Sequence, residues 1–395
     1  LETFEAAYLF VGTFFALAYG LLIGSFLNVC IFRLPPKIYF FDDLFFQGGA
    51  GGIASDVKEL WKSVFGGKKA GKASDGKLKV EPFLYAETVW PLHIYPESAA
   101  ITAITHNYNL FKEFFPDPVT IVKPRSFCPS CRRTILWWMN IPLLSYIFLG
   151  ARCYYCKAEI SPRYPINELV SGLLCAGLFY VYGVNNFSTF IYYYILAAIC
   201  IVVFFIDLDH WLILDEITLP FSLAGVAGSL LIPAGFFKTT PDIFESLLFS
   251  DNPPPLYQWF AGLKAHVPAW IHPESLLQSM LGAVLSFGAF YCIAVLGTLM
   301  AGREAMGGGD IKFAMLMGAF LGPQKAFLAF FLSVLLGTAI MAPGMLLGRK
   351  TGKDQVPFGC FLTISTVITI FLGDMIVERY LNWPGMFQIP FPEGQ

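Results

Sequence analysis

Six stretches of this chain contain no charged residue, and they limit what it can fold into more than any other feature: Ala6–Phe32, Leu169–Ile206, Ile217–Phe237, Ser275–Gly302, Ala326–Gly348 and Gln355–Gly373. A helix crossing a bilayer needs about 20 mostly apolar residues, and each stretch supplies them. Leu169–Ile206 is long enough for two spans with a turn at Tyr182–Asn186, and the shorter apolar run Ile311–Gly322 adds one more. The expectation is an all-α polytopic membrane protein of about eight transmembrane helices. Composition agrees: 14% of residues are charged, against about 25% in a soluble domain. The first run does not read as a cleaved signal peptide, since Glu2 and Glu5 stand where a basic n-region belongs.

The distribution of charge says more than the net −2. Of 26 Lys and Arg residues, 17 fall from Arg33 to Arg163, after the first span. Near other span ends lie Arg303, Arg349, Lys350 and Lys353. With eight spans all of these fall on one side, which the positive-inside rule makes cytoplasmic, leaving both termini outside. The expected organisation is a first span with its signature over 1–36, a cytoplasmic insertion over 37–124, a cytoplasmic four-cysteine domain over 125–165 and spans two to four over 166–237. A periplasmic insertion over 238–274, spans five to eight over 275–378 and a tail over 379–395 complete it. The first insertion has a glycine-rich stretch, a basic flexible stretch at Gly66–Lys79 and a short amphipathic segment at Asp56–Phe65. Membrane lipid is an expected partner; nucleic acid is not.

Cys128, Cys131, Cys153 and Cys156 form two C-x₂-C knuckles with 21 residues between them. Each knuckle places two thiolates on one side of a tight turn, and two knuckles complete a tetrahedral sulfur shell for structural Zn²⁺, forming a small zinc-ribbon-like domain. Arg132, Arg133, Arg152 and Lys157 would offset its negative charge. A redox C-x₂-C is the rival reading, weakened by the presence of two pairs and by a reducing cytoplasm. Cys30, Cys175, Cys200, Cys292 and Cys360 lie in or beside apolar segments, where a small core side chain is the ordinary role.

Asp207 and Asp209 close the third span, and Asp310 opens the sixth behind three glycines. Ionisable groups beside a membrane span are costly and mark functional sites. Two carboxyl groups brought together share a proton, so one can activate water while the other donates to a carbonyl. A lone aspartate at a helix end is often only a cap or an interfacial charge. Asp209, His210, Asp215 and Glu216 crowd the first site, and sequence chemistry alone does not choose among its acids.

The segment Gly24–Pro35 (GSFLNVCIFRLP) resembles the opening signature of the prepilin peptidases, the type IV prepilin leader peptidases and N-methyltransferases. Similar matches follow in family order: Asn140–Tyr146 (NIPLLSY) between the knuckles, Ser161–Glu168 (SPRYPINE), Ile206–His210 with Asp215, Gly302–Lys312 (GREAMGGGDIK) and Val356–Gly359 (VPFG). The resemblance implies that Asp207 and Asp310 are the catalytic pair of a GxGD-type aspartyl protease in the bacterial inner membrane. It implies cytoplasmic cleavage of type IV prepilins and type II secretion pseudopilins after the Gly that ends a short leader. It also implies N-methylation of the new terminus from S-adenosylmethionine, with Asn28, Arg33 and Glu168 as the residues matched to that step; each also has a structural reading, as an interhelical hydrogen bond, an interfacial anchor and a helix-end charge. The chain departs from the family pattern in a long first insertion, in Leu214 where Pro is more usual, and in Ala151 where Gly is common. An Ala takes positive φ less readily than Gly, which predicts an altered loop there. A presenilin-type protease would lack the cysteine knuckles, and a transporter would carry its aspartates near the bilayer midplane.

Overall fold

The computed structural model describes residues 2–47, 121, 125–128, 130–131, 133–237, 259, 262–263, 267–302, 306–346 and 357–381. Most of both insertions, including the Asp56–Phe65 and Gly66–Lys79 segments, lies outside the described residues. The chain divides into two compact units, one of Leu1–Ile31 with Arg163–Gln395, the other Phe32–Pro162. Among the described residues the structure is helical, with only two isolated β-bridges.

In order, the helices are α1 (Glu2–Gln47), α2 (Leu144–Phe148), α3 (Arg163–Leu178, prolonged by a π-turn Phe179–Gly183), α4 (Phe187–His210), α5 (Asp215–Gly228), α6 (Pro273–Ala301), α7 (Gly308–Leu346) and α8 (Phe358–Leu381). Six helical stretches are long and apolar enough to cross a membrane: Tyr8–Pro35, Arg163–Gly183, Phe187–His210, Pro273–Met300, Gly308–Pro343 and Phe358–Val377. One of them, α7, breaks at Gly322, where φ is 73° and ψ 174°, so it is two helices rather than one. Glycine holds that conformation without strain, and Pro323 then begins the second arm, where a missing N–H costs nothing. With α5, too short for that length criterion, the apolar helices correspond to the eight expected. The chain is thus an all-α, multi-pass membrane protein.

In lipid, apolar burial drives helices together only weakly, and close backbone packing with hydrogen bonds takes its place. The first unit follows that rule. Gly282 of α6 and Gly318 of α7 approach so closely that a Cβ on either would overlap the other's carbonyl oxygen. A Cβ on Gly24 of α1 would lie 2.7 Å from Glu168 Cα of α3, and Ser171 of α3 donates to Gly20 O at 2.8 Å. The Tyr192 hydroxyl of α4 lies 3.0 Å from the carbonyl oxygens of both Gly225 in α5 and Ala319 in α7. Such interhelical bonds average about 0.6 kcal/mol each, and here they tie α4, α5 and α7 into one frame.

In the second unit, each cysteine knuckle is closed by a short antiparallel bridge, Phe127 with Thr134 and Arg152 with Glu159. Between the knuckles lie a 3₁₀ turn, Trp137–Asn140, and α2. Ala151 stands at φ 58° and Lys157 at φ 61°. The loop expected to change at Ala151 therefore keeps a left-handed residue there, at a cost of about 1–2 kcal/mol for a non-glycine. Backbone bonds on both sides hold it, from Ala151 N–H to Tyr146 O at 2.9 Å and from Ile160 N–H to Ala151 O at 2.7 Å.

Candidate active site

Asp207 lies in the last turn of α4. Asn186 starts that helix by accepting from Thr189 N–H at 3.1 Å, and Trp211 ends it at φ 55°, returning its N–H to Asp207 O at 2.9 Å. The abrupt stop leaves only Leu212, Ile213 and Leu214 before α5, so Ile213 is turned back over the site. A Cβ on Gly309, at the start of α7, would lie 2.9 Å from Ile213 Cβ. A Cβ on Gly359, at the start of α8, would lie 2.9 Å from Ile213 Cδ1 and 2.8 Å from Asp207 Oδ2. Two glycines on different helices thus make room for one side chain and one carboxyl group.

Asp207 is 5% exposed. Its Oδ2 accepts the Cys360 N–H at 3.0 Å, a first-turn donor with no acceptor inside its own helix. Asp310, half-buried in the first turn of α7, lies beside Gly307, where an added Cβ would stand 3.4 Å from its Oδ2, and within electrostatic reach of Asp207. Two helix N-termini, α7 and α8, and one helix C-terminus, α4, therefore meet around two carboxyl groups. The neighbouring acids are otherwise engaged. Arg163 donates to Asp209 Oδ1 at 2.8 Å and to Phe205 O at 3.2 Å, with its guanidinium 4.6 Å from the Phe205 ring centre. Lys312 pairs with Asp215, and Glu216 is exposed.

Asn28 and Glu168 both lie in the first unit, on α1 and α3. Asn28 donates to Tyr164 O at 3.2 Å and accepts from Asn167 Nδ2 at 2.7 Å. Glu168, the next residue on α3, is buried. Arg33 is buried in the other unit, donating to Ile121 O at 3.1 Å. Three contributors were missed by the sequence reading. Asn167 is wholly buried, with its Oδ1 unpartnered among the described residues; an amide inside an apolar helix was the available signal. The Cys360 N–H and the Arg163 guanidinium act only through tertiary contacts.

The four knuckle sulfurs lie within 4.8 Å of one another, with Cys128 and Cys156 3.8 Å apart and Cys131 and Cys153 4.0 Å apart. A Zn–S bond of about 2.3 Å gives a tetrahedron with edges of about 3.8 Å, so the cluster fits one ion of that kind. Burial pushes the Cys128 thiol up to about 12. At Cys153 burial acts the same way, but N–H donors from Cys156 and Tyr155 outweigh it and bring the thiol down to about 7. One ligand is thus shifted toward thiolate, the form that binds metal.

Two family profiles match the chain: the bacterial peptidase A24 N-terminal domain over residues 18–182 and the type IV leader peptidase family over residues 253–342. The prepilin leader peptidase/N-methyltransferase of Aeromonas hydrophila is 31% identical over 268 residues, covering 67% of this chain and 77% of that protein. The protein of the same name in Pseudomonas aeruginosa is 27% identical over 366 residues, 93% of this chain and 92% of the relative. That of Burkholderia pseudomallei is 26% identical over 359 residues, 91% and 85% respectively. No solved structure matches the chain.

Proposed function

The chain belongs to the type IV leader peptidase family, that of the prepilin leader peptidase/N-methyltransferases, and from that premise we propose that it cleaves prepilin and pseudopilin leaders after a Gly, with Asp207 and Asp310 as the catalytic carboxyl groups, and then methylates the new N-terminus. The observation that carries this reading is the meeting of Asp207 and Asp310 at three helix ends while Asp209 and Asp215 are held by cations. Two carboxyl groups that come together hold one proton between them. The ionised one takes a proton from water as its oxygen bonds to the scissile carbonyl carbon, and the protonated one donates to the carbonyl oxygen. When the tetrahedral centre collapses, the C–N bond breaks and the departing amine takes up a proton from the pair. The Cys360 N–H holds Asp207 Oδ2 and so fixes the carboxyl group for this exchange.

The same reading puts the protein in the bacterial inner membrane, with the aspartates and the four-cysteine unit on the cytoplasmic side. Cys128, Cys131, Cys153 and Cys156 hold a structural Zn²⁺. S-adenosylmethionine, when bound, supplies the methyl group. Glu168, Asn28 and Arg33 are the residues assigned to that second step: Asn167 orients the Asn28 amide, its own Oδ1 is a spare acceptor for an N–H or a cationic group, and Glu168 takes the amine's proton.

The test uses membranes containing this protein and a pilin precursor with a Gly-ended basic leader, followed by mass spectrometry of the product N-terminus. Cleavage after that Gly with one added methyl group supports both activities. A precursor left intact across several matched substrates contradicts the reading.

A further inference from the structure

The second unit carries a surface that the proposed reaction does not use. Trp137, Ile147 and Phe148 are 77%, 70% and 81% exposed, and Leu136 and Leu144 are exposed near them in sequence. Leu144, Ile147 and Phe148 are spaced three and four residues apart on α2, so they lie on one side of it. None of these residues belongs to a membrane-spanning stretch. Large aromatic and aliphatic side chains left bare in this way mark an interaction surface.

Two observations say what covers it. The first is charge: from Arg125 to Pro162 there are five Lys and Arg residues against one acid, Glu159. Two of the cations ride on aromatic rings, Arg133 5.1 Å from the centre of Tyr155 and Lys157 5.6 Å from that of Tyr154. The second is continuity. The unit begins at Phe32, within the apolar stretch Tyr8–Pro35, and ends at Pro162, immediately before the apolar stretch that opens at Arg163. The chain itself ties both ends to a bilayer. Tryptophan with aliphatic neighbours and a surplus of positive charge is the composition that partitions into the headgroup region of an anionic leaflet.

We propose that the four-cysteine unit docks on anionic phospholipid, with Trp137, Ile147 and Phe148 entering the boundary between headgroups and acyl chains. Its basic side chains meet the headgroup phosphates. The metal cluster then acts as the rigid frame that presents this face to the bilayer.

The full chain, with benzoylphenylalanine in place of Phe148, is reconstituted into vesicles of phosphatidylethanolamine and phosphatidylglycerol, irradiated, and digested for mass spectrometry. The expected product is a phospholipid adduct at position 148. Its yield drops about fivefold when phosphatidylcholine replaces phosphatidylglycerol, and drops again in Trp137→Ser/Ile147→Ser, with bound metal per chain unchanged. An adduct to a peptide, from this chain or from a second copy, shows that protein covers the face and overturns the proposal. A position 148 that gains no lipid, its ketone intact or reduced, shows that it faces water and overturns it equally.

Discussion

Gly359→Ala is the substitution that most sharply separates the arrangement at Asp207 from a merely apolar environment. The added Cβ would stand 2.8 Å from Asp207 Oδ2 and 2.9 Å from Ile213 Cδ1, so both must recede by about 0.5 Å to reach ordinary contact. Ile213 has little freedom, since Gly309 already meets it from the other side. The carboxyl group therefore moves, and its bond from Cys360 N–H, 3.0 Å long, lengthens or breaks. Misplacing a reacting group by about 1 Å costs roughly 100-fold, so cleavage is expected to fall about 10- to 100-fold. Overpacking also destabilises by about 1–3 kcal/mol, which must be kept apart from the effect on chemistry. The assay compares initial rates of precursor cleavage at matched membrane protein levels with methyl transfer to an already cleaved pilin. The expected result is a loss confined to cleavage. Cleavage within twofold of wild type would refute the packing account of Asp207.

Three further outcomes are expected. Asp209→Asn keeps cleavage within about tenfold of wild type, because it removes a partly exposed ion pair with Arg163, whereas Asp207→Asn loses more than about 1,000-fold; equal losses in parallel rate measurements would undo the choice of acid. Asp215→Lys and Lys312→Asp each slow cleavage by setting like charges together beside Asp310, and the double exchange restores most of the rate; a double variant slower than either single one would show that the pair does not act as a clasp. Ala151→Gly removes a left-handed strain of about 1 kcal/mol, so metal extraction from the four-cysteine unit by a chelator slows about fivefold; an unchanged rate would mean that the neighbouring backbone bonds fix the loop without strain.

The spans were legible because lipid asks for one simple thing, an uncharged run of sufficient length, and the chain writes it openly from Ala6 to Gly373. The cysteine cluster was legible for a similar reason, since two tight knuckles leave few ways to arrange four sulfurs. The choice among the acids at 207–216 was not, because the partners that separate them are remote. Arg163 precedes Asp209 by 46 residues, Lys312 follows Asp215 by 97, and the Cys360 N–H lies 153 residues beyond Asp207. No local periodicity reports such contacts. Ala151 misled for the opposite reason: residue type alone predicts avoidance of positive φ, while the hydrogen bonds around it in the fold impose that conformation. The break at Gly322 was legible too, because the run Ile311–Gly322 stops there and the next uncharged stretch begins only at Ala326.

Whether Asp207 and Asp310 work as one catalytic pair is decided by single-turnover cleavage with Asp207→Asn, Asp310→Asn and the double variant. Groups that act as a unit are far from additive. Each single variant should therefore lose at least about 1,000-fold, and the double variant should lose no more than either, with methyl transfer to a cleaved pilin retained in all three. A single variant that still cuts at more than a few per cent of the wild-type rate, or a double variant whose loss is the product of the two, would contradict it.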